Sequence, residues 1–458
     1  MSGPPVPTGA TTQGRPAGSI RSLVDAIGSA LAPVRATLNH LEVDTRLLGM
    51  VLALAIIWIG FDLVSNGTFL SPRNLWNLSV QSAAIAIMAS GMVLIIVSRG
   101  IDLSVGSMLG FLGYTMAMLQ AVWIPQALGF GFGQPWTWIV TILLGILLGA
   151  LIGGLQGFVV AFAGVPSFIV TLGGLLVWRG LIFRYAQGQT IAPLDQNFQM
   201  LGGGTVGTRV GALGEWPSWI LGAVVCVGII LTLITSRRRR RRYGFPLRPL
   251  WAEGLLGLVG CGVVMGVMWV VNSYPLPINV AIQYAQEHGI PNQPDGSPPI
   301  IATGIAFPVV IMLGVTLVMT FLASRRRFGR YVYAIGGNPE AAALAGINVR
   351  RTLMLTFSLM GALAAISAAV QTARLNAAVT NLGIQNELDV ISAAVIGGTS
   401  FSGGIGTIPG AILGAVVMQS LRSGMVLLLV DSPTQDIVVG IVLVAAVGLD
   451  TFVRRRSK

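Results

Sequence analysis

Apolar residues run through this chain in blocks long enough to cross a lipid bilayer, and polar residues gather at the joints between them. A hydrocarbon core of about 30 Å asks for roughly 20 apolar residues in helical form. Segments that meet or approach this requirement lie at 47–65, 75–97, 102–122, 136–161, 167–187, 217–235, 252–271, 301–323, 353–373, 388–398, 409–430 and 435–452. Lipid offers no hydrogen bonds to an open backbone, so the pattern predicts an all-α polytopic membrane protein of about 12 transmembrane helices. Mean hydropathy is +0.79 and only 10% of residues are charged.

Two joints break the pattern inside the membrane. The segment at 388–398 is too short to cross as a regular helix and leads into Gly397-Gly398-Thr399-Ser400-Phe401-Ser402-Gly403-Gly404-Ile405-Gly406. The second and third segments are joined by Ser98-Arg99-Gly100-Ile101-Asp102-Leu103-Ser104-Val105-Gly106-Ser107. Glycine at such density does not make a membrane helix, and irregular backbone at that depth survives only against protein or a watery cavity. Paired breaks in two halves of a chain point to the solute path of a transporter. Asp102, Ser104, Thr399, Ser400 and Ser402 are therefore candidate residues of a translocation path. Asp102 also has two structural readings: capping the amides of the third segment, or pairing with Arg99.

The net charge of +12 changes the picture only in orientation. The positives stand beside apolar blocks, in Arg237–Arg242 with Arg248, in Arg325, Arg326, Arg327, Arg330, Arg350 and Arg351, and in Arg454–Arg456 with Lys458. That is the topology signal of a membrane protein, not a nucleic-acid surface. With both termini cytoplasmic, all three clusters fall on the cytoplasmic side, and the loops at 123–135, 188–216, 272–300 and 374–387 face outward. Residues 1–45 read as a cytoplasmic tail, partly disordered, with 23–41 suited to lie on the membrane surface; no cleaved signal peptide is expected. The transmembrane domain then spans 46–452 and a basic tail 453–458.

Other chemistry is thin. Lys458 is the only lysine, so no phosphate-binding Gly-Lys loop exists, and any ATP hydrolysis would belong to a partner chain. No catalytic constellation, metal spacing around His40 or His288, or cofactor motif is found, and Cys226 and Cys261 sit within apolar runs. Arg179 and Arg184 are expected to snorkel or face the interior, Arg422 to need an acid or carbonyl partner, and Arg374 to sit at the interface. Glu387 and Asp389 suit the positive end of a helix dipole. The tryptophans fit an aromatic belt; Trp58 and Trp178 could alternatively stack on a sugar.

The stretch from Gly329 to Arg351, GRYVYAIGGNPEAAALAGINVRR, carries the clearest local signals. Asn338 suits a helix N-cap, Pro339 the first helical position, Glu340 the positive end of the dipole, and Gly346 a left-handed stop. Between them Ala341 and Ala342 belong to a small-residue helix of about two turns that cannot be stable alone. It is either a capped connector or an element shaped for insertion into a partner.

Three stretches together resemble the permease subunit of bacterial carbohydrate ABC importers, in the ribose/galactose/xylose branch, and most of all the xylose type. They are SRGIDLSVGSMLGF from Ser98, the Gly329 stretch, and ELDVISAAVIGGTSFSGGIGTIPGAILGAVV from Glu387, supported by TLGGLLVWRGL from Thr171. The resemblance implies a place in a bacterial cytoplasmic membrane, a cytoplasmic ABC ATPase, an extracytoplasmic sugar-binding protein, a second permease copy and a monosaccharide substrate. It makes Gly337, Asn338, Pro339, Glu340, Ala341, Ala342 and Gly346 an ATPase-coupling loop, within a cytoplasmic segment at 324–352. Thr190 to Pro299 stands out as an insertion with two additional, peripheral spans around the six arginines, which mark topology or bind anionic lipid. The alternative is an ion-coupled secondary transporter of a small polar solute, which would lean on Asp102 and leave the capped helix without a task.

Overall fold

The computed structural model describes residues 45–456. The expected tail with its surface stretch at 23–41, and Ser457 and Lys458, lie outside the described residues.

Among the described residues five helices come first: α1 (Thr45–Val64), α2 (Pro72–Val97), α3 (Val105–Met118), α4 (Thr137–Phe162) and α5 (Ser167–Ala186). A π-helical stretch, Leu119–Ala127, extends α3 around Pro125. The insertion follows, with α6 (Gln196–Met200), the hairpin strands β1 (Thr205–Val206) and β2 (Arg209–Val210), then α7 (Glu215–Arg242), α8 (Leu250–Asn272) and α9 (Ile278–His288). The remainder comprises α10 (Phe307–Arg325), α11 (Arg327–Gly337), α12 (Pro339–Leu344), α13 (Val349–Leu375), α14 (Asn386–Ile396), α15 (Ile408–Leu427) and α16 (Ser432–Arg456). Among the described residues ten helices are long and apolar enough to cross a membrane. The expected figure of about twelve thus resolves into ten full spans, the half-length α14, and α16, whose apolar part is Ser432–Ala445.

The centre of the bundle is α2. From Ala83 to Val97 every residue is buried, because the run alternates bulky Ile, Met and Leu with Ala, Ser and Gly small enough to admit a neighbour on each side. Ser367 of α13 donates to the Ala84 carbonyl of α2 at 2.8 Å. The closest helix pair is α4 with α13. Gly145, Gly149, Gly153 and Gly157 recur every fourth residue and so share one face of α4. A Cβ on Gly149 would meet the backbone of Gly361, and one on Gly153 the backbone of Phe357, both on α13. Lipid is as apolar as leucine, so close van der Waals packing of small residues is what holds such a pair. Ser358 adds a hydrogen bond to the Ala150 carbonyl at 2.8 Å.

Of the membrane-crossing portions of α7 and α8 in the insertion, 11% of residues are buried. Its loops are different. Asp195 caps α6 by accepting from the amides of Asn197 and Phe198, and Phe198 is fully buried. Gly202 lies against the Ala373–Arg374 backbone, Ile191 bridges to Ala378, and Trp76 of α2 donates to the Gly304 carbonyl at 2.9 Å. The chain also divides into two compact units. The described part of the smaller is 227–261, the facing ends of α7 and α8 with their turn, where Arg237 donates to Glu253 at 2.8 Å and to the Arg248 carbonyl at 3.0 Å. The larger unit, 45–226 with 262–456, holds everything described below.

Candidate coupling and translocation site

The local signals at 338–346 give the structure they predict. Asn338 is extended (φ −153°, ψ 106°) and its Oδ1 accepts from the amides of Glu340 and Ala341, each at 3.0 Å. Pro339 starts the helix, which runs six residues, or about 9 Å. Gly346 closes it at φ +82°, its amide on the Ala343 carbonyl while the Ile347 amide reaches Ala342. The faces of α12 are unequal. Ala342 is buried and turned toward the body of the protein, whereas Glu340, Ala341, Ala343 and Leu344 are exposed, Leu344 at 91%. Replacing Asn338 by alanine is expected to cost about 1 kcal/mol of local stability. Hydrogen exchange at the amides of Glu340 and Ala341 should report it as about a fivefold rise, with the remaining bundle unchanged.

What carries α12 was not expected. Arg327–Gly337 is an amphipathic helix of its own, α11, with Gly329, Val332, Ile335 and Gly336 buried. Phe328, Val332 and Ile335 repeat at helical spacing, a signal that is present in the sequence but short. The arm is fastened through two side chains, Arg99 and Tyr333. Arg99, at φ +67° just past the end of α2, donates from Nε to the Gly336 carbonyl at 2.8 Å and from Nη2 to the Gly337 carbonyl at 2.7 Å. Tyr333 donates to the Gly406 carbonyl at 2.7 Å. The Gly404 amide donates to the Val97 carbonyl at 2.9 Å. Gly336 has to be glycine, since a Cβ there would meet Val97 and Gly404 backbone. Both breaks in the membrane pattern, 98–104 and 397–406, therefore meet each other and the arm at one end of the bundle.

This arrangement corrects the pairing of Asp102 with Arg99. The guanidinium turns to the α11 carbonyls, and Asp102 turns inward, with no exposed surface. Its Oδ1 accepts from the Ser104 amide at 2.9 Å and from Ser104 Oγ at 2.7 Å, just ahead of α3. Gln156 Nε2 of α4 donates to Ser104 Oγ at 3.0 Å, and Asp102 Oδ2 is buried without a partner. The five path candidates separate into two groups. Asp102 and Ser104 sit with Gln156. Thr399 and Ser400 are buried in the loop beside Val97, while Ser402 is exposed and shares a 2.7 Å hydrogen bond with Ser400. Among the described residues no hydrogen bond joins the two groups.

The remaining polar candidates find partners. Arg422 of α15 donates from Nε and Nη2 to Asp389 Oδ1 at 3.1 and 2.9 Å and lies 3.6 Å from Asp436. Asp389 is thus an ion-pair partner more than a dipole-compensating residue. Arg179 faces the interior, donating to the Leu382 carbonyl at 3.1 Å. Trp58 donates to Ser420 at 2.9 Å, and the Trp178 ring lies against Phe111 with centroids 5.4 Å apart. Both tryptophans are packing residues here.

A family described as "Branched-chain amino acid transport system / permease component" matches residues 74–447, from the first turn of α2 into α16. The chain belongs to this permease family. The xylose transport system permease protein of Haemophilus influenzae is 34% identical over 410 residues, covering 90% of this chain and 97% of the relative. The same-named protein of Escherichia coli K12 is 36% identical over 408 residues, at 89% and 92% coverage. The ribose import permease protein of Bacillus subtilis is 30% identical over 411 residues, at 90% and 94%. No solved structure matches the chain. Both breaks, the fastened arm and the Asp389–Arg422 pair of this permease all lie within the matched residues.

Proposed function

We propose that the chain is the membrane-spanning subunit of an ATP-binding-cassette importer that passes a pentose, D-xylose or a near relative, into a bacterial cell. The observation that carries this reading is the end-to-end likeness to two xylose permeases, each closer in identity than the ribose permease. In this reading a separate cytoplasmic ATPase supplies the energy, an extracytoplasmic binding protein delivers the sugar, and a second copy of the permease completes the path. No covalent step falls to the permease.

The coupling role goes to α12. Its exposed face, Glu340, Ala341, Ala343 and Leu344, is offered to the ATPase, and buried Ala342 seats the helix on its own subunit. Gly337 is the joint between α11 and α12, and Gly346 fixes the exit. A short rigid helix fastened through Arg99 and Tyr333 transmits a displacement that a loose loop would absorb.

The test is uptake of labelled xylose by vesicles holding the permease, ATPase and binding protein. Uptake should require ATP hydrolysis, and Glu340→Arg should remove the ATPase on co-purification while leaving a folded permease. Uptake driven by a proton or sodium gradient with no ATPase present would defeat the importer reading. Normal co-purification of the Glu340→Arg permease would remove α12 from the coupling role.

A further inference from the structure

Four carboxamides from four helices converge on one cavity: Gln81 of α2, Gln371 of α13, Asn386 of α14 and Gln419 of α15. It lies toward the end of the bundle opposite Arg99, with a volume of about 250 Å³. We infer that this cavity is a waypoint for a neutral polyhydroxy solute on its way through the permease. The inference rests on the importer reading and names the residues that reading leaves open.

Carboxamides on membrane helices are costly unless they face protein or water. Here the only bond among the four runs from Asn386 Nδ2 to Gln371 Oε1 at 3.3 Å. The side chains of Gln81 and Gln419 make no hydrogen bond within the described residues. Each carboxamide offers two donors and a carbonyl acceptor, the complement of a sugar hydroxyl, which is itself both. A cavity of this size has room for about eight waters at roughly 30 Å³ each, or for one monosaccharide in their place.

The charged residues on its wall are Arg374, Asp389 and Arg422, and Arg422 is held by Asp389 and lies near Asp436 outside the lining. The four carboxamides around them suit the hydroxyls of an uncharged polyol. The cavity is also connected to the coupling arm. Asn386 opens α14, and the far end of α14 enters the 397–406 loop that holds Arg99 and Tyr333. A shift of the arm would reach the cavity through 11 residues of helix.

The complete importer in proteoliposomes supplies the test, reading labelled pentose uptake and ATP hydrolysis together. Gln371→Leu and Gln419→Leu are each expected to lower uptake about tenfold, while hydrolysis stimulated by the binding protein stays within about twofold of wild type; tenfold corresponds to about 1.4 kcal/mol. Wild-type uptake in both variants overturns the proposal. Should a leucine variant fail to assemble, Gln419→Cys in a chain with Cys226 and Cys261 replaced keeps the question open to measurement. A water-soluble thiol reagent should then label it, and millimolar pentose or hexose should slow the labelling. No labelling, or labelling indifferent to sugar, overturns the waypoint. Because the labelling needs no transport, a wild-type importer that moves no pentose would defeat the substrate reading alone.

Discussion

Gly153→Leu is expected to leave no folded permease in the membrane. A Cβ at this position already meets the Phe357 backbone of α13, and backbone cannot move aside as a flexible side chain can. Leucine adds three further carbons along the closest helix–helix contact of the bundle. Overpacking commonly costs about 1–3 kcal/mol, and a clash with backbone on both sides of a shared groove lies at or above the top of that range. Gly153→Ala should fall between, because the contact is reached by its single added carbon. Gly180→Leu is the control, since a Cβ at Gly180 meets nothing within 4 Å. Monodisperse elution and thermal midpoint of the detergent-solubilised protein check the series. A leucine variant at 153 as stable as the one at 180 would mean that the α4–α13 contact does not hold the bundle.

The second large effect belongs to Arg99. Arg99→Met removes two charge-assisted bonds to the Gly336 and Gly337 carbonyls. Such bonds are each worth about 1.5–3 kcal/mol, and losing one alone corresponds to about tenfold in an equilibrium. The arm should stay folded, because α11 keeps its apolar face and Tyr333 its bond to Gly406, but it should no longer be tied to the end of α2. The expected outcome in the assembled importer is sustained ATP hydrolysis with uptake per ATP reduced about tenfold. Tyr333→Phe, which removes one neutral hydrogen bond, should show the same fault more weakly. Equal loss of hydrolysis and uptake in Arg99→Met would instead place Arg99 in ATPase docking.

Much of this was legible beforehand, and the illegible part has a common physical cause. Hydropathy finds helices that can cross a bilayer, because lipid tests only for apolar surface. It cannot say which of them will be central. The apolar windows of α1 and α2 have mean hydropathies of 2.4 and 2.2, yet none of the first is buried and 94% of the second is. The caps of α12 could be read because Asn338, Pro339 and Gly346 act on their own backbone neighbours. The fastening of α11 could not, since Arg99 meets its carbonyls across more than two hundred residues. The charge rule suggested Asp102 as its partner by proximity in sequence, but that carboxylate bonds Ser104 instead. Arg422 could be recognised as a residue in need of a partner, but Asp389, read as compensating a helix dipole, could not be recognised as that partner. The four carboxamides were overlooked because each is an isolated polar residue in its own helix and only the fold makes them a set.

The buried state of α2 sets an order of events during synthesis. This helix is apolar enough to enter the bilayer as soon as it is made, but the residue that ties it to α13, Ser367, is 283 residues farther along the chain than Ala84. At about 5–20 residues per second that interval is roughly 15–60 s. Throughout it the future core of the permease sits in lipid with Gln81 and its small-residue faces uncovered. The protein is then a nascent chain whose centre is laid down early and enclosed late, so a factor that shelters unfinished membrane helices would stay on α2 for much of synthesis.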